Sequence, residues 1–186
     1  MIILSWNCRG LAWAAATRAL IGDIGPDIVF LFETKIPIDR VRKFLWSLGF
    51  YNLDFVNPWG KKAGLIVGWK IGVDLEITSK CNNMIYGLVF SNPVNEPWMI
   101  SLVHGPPNRN NRGPFWDDVV KVGEAFNGGW LCLGDFNHVF SQVDKKGDMP
   151  VATSSNGGSN AVIDKNGLID LYFWEILILG LIRGRA

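Results

Sequence analysis

The chain has 186 residues, 48% of them hydrophobic, and a formal net charge of +1. That length and apolar content are enough for one sizeable core, and the near-neutral charge excludes a strongly basic nucleic-acid binder held by charge alone. Cys8, Cys81 and Cys132 are odd in number, which fits a reducing intracellular compartment, nuclear or cytoplasmic, better than a secretory disulfide framework.

The opening Met1-Ile2-Ile3-Leu4-Ser5-Trp6 has neither the basic n-region nor the small-residue cleavage site of a secretion signal, and is expected to be a first strand, 2–6. Ala12 to Ile24, with its alanines and spaced Leu and Ile, predicts a helix that stops near Gly25-Pro26. A strand over Asp27 to Phe32 comes next. Over residues 38–48, Val41, Phe44, Leu45 and Leu48 recur at helical spacing while Arg40, Arg42 and Lys43 take the other face, which predicts a second, amphipathic helix.

From 50 to 104 the pattern changes to short apolar runs: Tyr51–Val56, Gly64–Trp69, Val73–Thr78, Met84–Phe90 and Trp98–Val103. Split by Gly, Asn and Pro, they predict meandering antiparallel strands. Trp59 to Gly64 lacks the spacing of a phosphate loop and reads as a basic hairpin tip. A helix over 114–126 leads to the strand Trp130-Leu131-Cys132-Leu133, which runs out into Asp135. Thr153 to Asn160, rich in Gly, Ser and Asn, is expected to be mobile. The apolar tail Ile176 to Ile182 falls far short of the roughly 20 residues that cross a bilayer, so no membrane partner is expected. This order of elements implies an α/β domain, one sheet packed on another with helices outside. The nine tryptophans fall mostly in apolar strands or helices, where packing explains them.

Three of these strands end in polar residues. Ile2 to Trp6 runs out into Asn7, Ile28 to Phe32 into Glu33, and Trp130 to Leu133 into Gly134-Asp135-Phe136-Asn137. Open sheets place their chemistry at strand exits, so these groups are expected on one rim. Asn7, Glu33, Asp135 and Asn137 form an oxygen-rich set with no Cys or His at ligand spacing, which suits hard Mg2+ better than zinc. Glu33 is the best metal ligand of the set, because a carboxylate after five apolar residues is costly to bury without a cation or hydrogen bonds. Asx-turn capping is the competing role for Asn7, Asp135 and Asn137, and a turn cap with Thr34 the competing role for Glu33.

The motifs Trp6-Asn7-Cys8-Arg9-Gly10, Leu31-Phe32-Glu33-Thr34, His104-Gly105-Pro106-Pro107, Gly134-Asp135-Phe136-Asn137 and Gly167 to Leu171 occur in the order found in the endonuclease/exonuclease/phosphatase superfamily, which the chain resembles. Their wording is most similar to the endonuclease domains of plant LINE-type (non-LTR) retrotransposons, which sit beside a reverse transcriptase. The resemblance implies a four-layer α/β sandwich of two packed mixed or antiparallel sheets flanked by helices. It also implies Mg2+-dependent hydrolysis of a phosphodiester, with Mn2+ as the alternative cation and DNA as the ancestral substrate. No obligate protein partner is implied. On that reading Glu33 holds the metal and Asp135 orients and deprotonates the attacking water. Asn7 and Asn137 donate to the phosphate or hold Asp135, and His104 stands where the family usually has a phosphate-contacting tyrosine. Arg109 and Arg112, in the donor-rich loop that follows, could track a nucleic-acid backbone. Arg40, Arg42 and Lys43, Lys61 and Lys62, and Lys145 and Lys146 read mainly as solvated surface. His138 and Asp170 read as structural, the latter as a fold-supporting carboxylate.

Family members finish with an Asp-His pair on a late strand, and this chain has no Asp-His dipeptide. The pattern is followed over residues 1–171, while 172–186 reads as a divergent apolar tail. A domain truncated at its C-terminus is therefore expected, lacking its last strands and leaving an uncovered sheet edge. Activity is expected to be weak or lost. A non-catalytic retroelement remnant that still binds nucleic acid and a phosphatase of a small phosphoester are the two alternatives.

Overall fold

A computed structural model describes residues 1–8, 13–57, 64–91, 93, 95–138, 157–170 and 180–183. Among them, β1 (Ile3–Asn7) and β2 (Ile28–Phe32) run parallel, with α1 (Trp13–Ile24) as their crossover. Gly25, at φ 63°, ends α1 with its N–H on the Ile21 carbonyl, the left-handed stop that glycine adopts without a steric penalty. α2 (Ile38–Trp46) then turns Val41 and Leu45 inward, and β3 (Asn52–Val56) and β4 (Leu65–Trp69) return to complete a sheet of order β1-β2-β4-β3.

The second sheet begins as a meander of β5 (Leu75–Cys81), β6 (Met84–Val89) and β7 (Trp98–His104). After a single 3-10 turn, α3 (Arg112–Ala125) carries the chain to β8 (Trp130–Asp135), which lies parallel to β7. Then come α4 (Gly157–Lys165), β9 (Ile169–Asp170) and β10 (Gly180–Arg183), giving the order β5-β6-β7-β8-β10-β9. Both sheets are mixed.

Three apolar layers hold the sandwich together. Ile28, Phe30, Phe32, Leu65 and Val67 of the first sheet meet Ile85, Ile100, Leu102 and Leu133 of the second. On the first sheet's outer face Ile21, Val41 and Leu45 pack on Val29, Leu31 and Ile66. On the second sheet's outer face Phe115, Trp116, Val119 and Val122 pack on Met99, Val103 and Cys132. β2 is therefore buried on both faces, which is why Ile28-Val29-Phe30-Leu31-Phe32 is apolar without alternation. At one side of the sandwich Lys80 of β5 pairs with Asp54 of β3, placing a charge on adjoining edge strands.

The expected four-layer sandwich is the observed fold, with helix and strand ends shifted by a few residues. Two expectations need correction. Residues 157–160 begin α4, because Val162, Ile163 and Leu168 pack on the α3 core and tertiary burial outweighs the poor helix propensity of Gly, Ser and Asn. The outer edge of β8 is also covered: Gly180 lies beside Leu133 and Arg183 beside Trp130 in an antiparallel ladder. The basic tip at 58–63, Lys145, Lys146 and residues 153–156 lie outside the described residues, as does the tail at 171–179 and 184–186. Cys8, Cys81 and Cys132 are all free thiols. No helix among the described residues is long and apolar enough to cross a membrane.

Candidate active site

Strand alternation decides which side chains meet at the rim. Along β7 and β8, Ile100, Leu102, Leu131 and Leu133 point between the sheets, so His104 and Asp135, at the same parity, point there too. His104 and Asp135 are register partners at the ends of these parallel strands. On β1, Ile3 faces the inter-sheet core, and Asn7 shares its parity and lies beside Phe32. The apolar filling ends at Phe32, Leu102 and Leu133, and the polar groups begin immediately beyond it.

Glu33 joins the two sheets. Its Oε1 lies 3.4 Å from His104 Nε2, with the side chains only 19% and 15% exposed. The His104 ring also sits 5.1 Å from that of Phe32. At 3.4 Å the contact is longer than a normal hydrogen bond, and Nε2 is buried with no hydrogen-bond partner among the described residues. A buried ring nitrogen in that position can accept or donate to an incoming oxygen.

Backbone strain concentrates at this rim. The non-glycine residues with positive φ among those described are Glu33 (55°), Lys35 (39°) and Asn137 (49°), all just past the ends of β2 and β8. Such conformations persist where the surroundings over-determine them, commonly at functional sites. Glycine is required at Gly134, whose φ is 137° and where a Cβ would overlap the Val103 carbonyl. A Cβ on Gly105 would likewise overlap the Phe136 carbonyl, so β7 and β8 leave the sheet in close contact.

Asp135 Oδ1 accepts the Asn137 backbone N–H at 2.8 Å, an Asx turn, while Asn137 Nδ2 donates to the Gly105 carbonyl at 2.7 Å. The turn fixes the carboxylate at the mouth of the inter-sheet space. Gly105 N–H donates to the Asp135 carbonyl at 2.7 Å, closing the join between the two strand ends.

Arg109 lies in the 3-10 turn and Arg112 opens α3, where its guanidinium donates to the Pro106 and Pro107 carbonyls. His138 leaves β8 edge-on to Trp116, with ring centroids 5.8 Å apart. Burial, with the charges of Arg112 and Arg109 adding to it, pushes its imidazole below the ordinary 6.5 and favours its neutral form. Thus the loop carrying both arginines lies beside the β8 exit. Cys8, next to Asn7, is buried, and desolvation pushes its thiol up to about 12, with Thr17 acting in the opposite direction. It is a packing residue, not a nucleophile.

Sequence reasoning missed Asn83, which donates to the His104 carbonyl at 2.7 Å from the turn between β5 and β6. A lone Asn between two strands gives no signal of that reach. Lys35 was also missed, because nothing in its residue type announces a positive φ.

The donor set bears on a metal. No group of three or more His, Cys, Asp or Glu able to hold an ion occurs among the described residues, so a closed protein cage is not built here. A rim with two carboxylates, Glu33 and Asp135, and the amides Asn7 and Asn137 has the oxygen donors that suit a hard divalent cation which keeps part of its water shell.

Three solved structures share the fold at low identity. An AP endonuclease from Archaeoglobus fulgidus superposes with TM-score 0.70 at 11% identity, covering 98% of this chain and 86% of its own. The endonuclease domain of TRAS1, a telomere-specific non-LTR retrotransposon, gives 0.66 at 11%, covering 96% and 82%. The 3' phosphatase NExo from Neisseria, bound to product DNA hairpin, gives 0.64 at 17%, covering 91% and 72%. No curated protein matches the sequence. The Endonuclease/Exonuclease/phosphatase family matches residues 4–164, which carry all the rim residues named above, and the chain belongs to that family.

Proposed function

We propose that the chain hydrolyses a phosphodiester of DNA at this rim with the help of a divalent cation, in the manner of a non-LTR retrotransposon endonuclease. The observation that carries the reading is the Glu33–His104 contact at 3.4 Å, which brings the exits of both sheets together around a buried imidazole nitrogen. Glu33, with Asn7 near it, would hold a hydrated Mg2+, or Mn2+ in its place. When bound, such an ion neutralises charge building on the phosphoryl group. Asp135, fixed by the Asn137 N–H, takes the proton of the attacking water. His104 meets a phosphoryl oxygen through Nε2, and Arg109 and Arg112 track the flanking backbone.

The resemblance to retrotransposon endonucleases favours DNA, and TRAS1 supports it as a fold neighbour. The test is nicking of supercoiled plasmid by the 186-residue chain with Mg2+ or EDTA. Metal-dependent nicking that Asp135→Ala abolishes is expected, at a low rate because the chain lacks an Asp-His pair. Equal nicking by the mutant would overturn the reading.

Two other readings have a specific observation each. NExo is described as a 3' phosphatase, and phosphomonoester turnover in preference to nicking would favour that class. The absence of an Asp-His dipeptide from the 186 residues favours a non-catalytic remnant, for which salt-dependent DNA binding by a folded chain without cleavage is the signature.

A further inference from the structure

We propose that Asn83, in the two-residue turn between β5 and β6, is the positioning residue that sets His104 against Glu33. Asn83 Nδ2 donates to the His104 carbonyl at 2.7 Å, and the His104 N–H donates to the Asn83 carbonyl at 2.9 Å. The next carbonyl along, that of Gly105, takes the Asn137 amide at 2.7 Å. Successive carbonyls at the β7 exit are thus held by amide side chains from two different connections.

The imidazole is packed but not held by a hydrogen bond at Nε2. His104 Nε2 has no hydrogen bond among the described residues, and its neighbours are a carboxylate at 3.4 Å and the Phe32 ring at 5.1 Å. With no hydrogen bond at Nε2, the position of the ring is set by its packing and by the backbone beneath it, which fixes the direction of its Cα–Cβ bond. The backbone bond from His104 to Asn83 extends the β6–β7 ladder and survives any ordinary substitution. The side-chain bond is additional to the ladder, and among ordinary side chains few besides asparagine have the length and donor to make it. Neither turn residue has a positive φ, so replacing Asn83 adds no backbone strain.

The catalytic consequence rests on the proposed function, but the geometry is tested without turnover. The chain contains two histidines, His104 and His138, so histidine labelled with 13C and 15N gives two ring spectra. The Phe32 ring shifts the His104 signals, and Trp116 shifts those of His138, the internal control. In Asn83→Ala the His104 signals should move toward their unfolded positions while those of His138 stay. Asn83→Asp, which keeps the size but turns a donor into an acceptor facing the His104 carbonyl, should move them at least as far. If Asn83→Ala does not fold, Asn83→Asp decides the matter. Unmoved His104 signals in either folded variant would overturn the proposal. Where the parent chain turns over DNA, kcat should fall by up to about tenfold with KM unchanged, the scale of one hydrogen bond's net contribution. Moved signals in a chain without turnover would sustain Asn83 as the positioning residue and remove the nuclease reading instead.

Discussion

Glu33 Oε1 and His104 Nε2 stand 3.4 Å apart although they belong to different sheets. Each sheet contributes one parallel strand pair, β1 with β2 and β7 with β8, and all four strands end at this rim. Parallel pairs deliver their C-terminal ends to the same side, which is how residues as far apart in sequence as Asn7 and Asp135 come to share it.

Asp135→Ala removes both a proposed base and the acceptor of the Asn137 N–H. Nicking should fall by about 10²- to 10⁴-fold, and stability by about 1 kcal/mol for the lost hydrogen bond. Asp135→Asn keeps an acceptor and should lose the activity with a smaller change in Tm, separating chemistry from turn.

Lys35→Gly should stabilise the chain. The left-handed conformation costs a side-chain-bearing residue about 1–2 kcal/mol, and the entropy of an added glycine takes back about 0.5–1 kcal/mol. A net gain of up to about 1.5 kcal/mol in urea unfolding is expected at this exposed position. Gly134→Ala, by contrast, should destabilise by about 2 kcal/mol or more, since strain and overlap with Val103 act together.

His138 should make stability sensitive to mild acid. Its folded pKa lies below 6.5, so the unfolded chain binds its proton first. Its contribution is present in full above 6.5 and is lost as pH falls through the folded pKa. The denaturant midpoint should drop on that side of neutrality, and His138→Gln should flatten the drop. An unchanged slope in the variant would exclude His138 as its source.

The thiols should separate by accessibility. Cys8 and Cys132 are 3% and 1% exposed, while Cys81 is partly open. A thiol reagent should modify Cys81 in the native chain and reach the other two on unfolding. The protonation of Cys8 slows it further, since the thiolate is the reacting form.

Much of this fold is legible in residue order, because its strands are short apolar runs and its rim residues follow them directly. Asn7, Glu33 and Asp135 are readable as the polar exits of apolar strands. The helix over 157–165 is not, since its Gly-Gly-Ser-Asn start signals a loop and only packing on α3 makes it helical. β10 is hidden as well: Gly180 to Arg183 sits in a segment whose apolar residues show no alternation to betray a ladder with β8. Asn83 is invisible for another reason, in that its role arises from a hydrogen bond across 21 residues to a backbone carbonyl.

The strand order of the second sheet also sets a timetable. The four described strands of the first sheet lie within residues 3–69, so they can assemble while later residues are still being synthesised. β9 has no described neighbour but β10, so residues 169–170 cannot dock until 180–183 have left the ribosome. Until then β8, which carries Asp135, has β7 as its one described neighbour, and β10 joins both β8 and β9 to the described sheet.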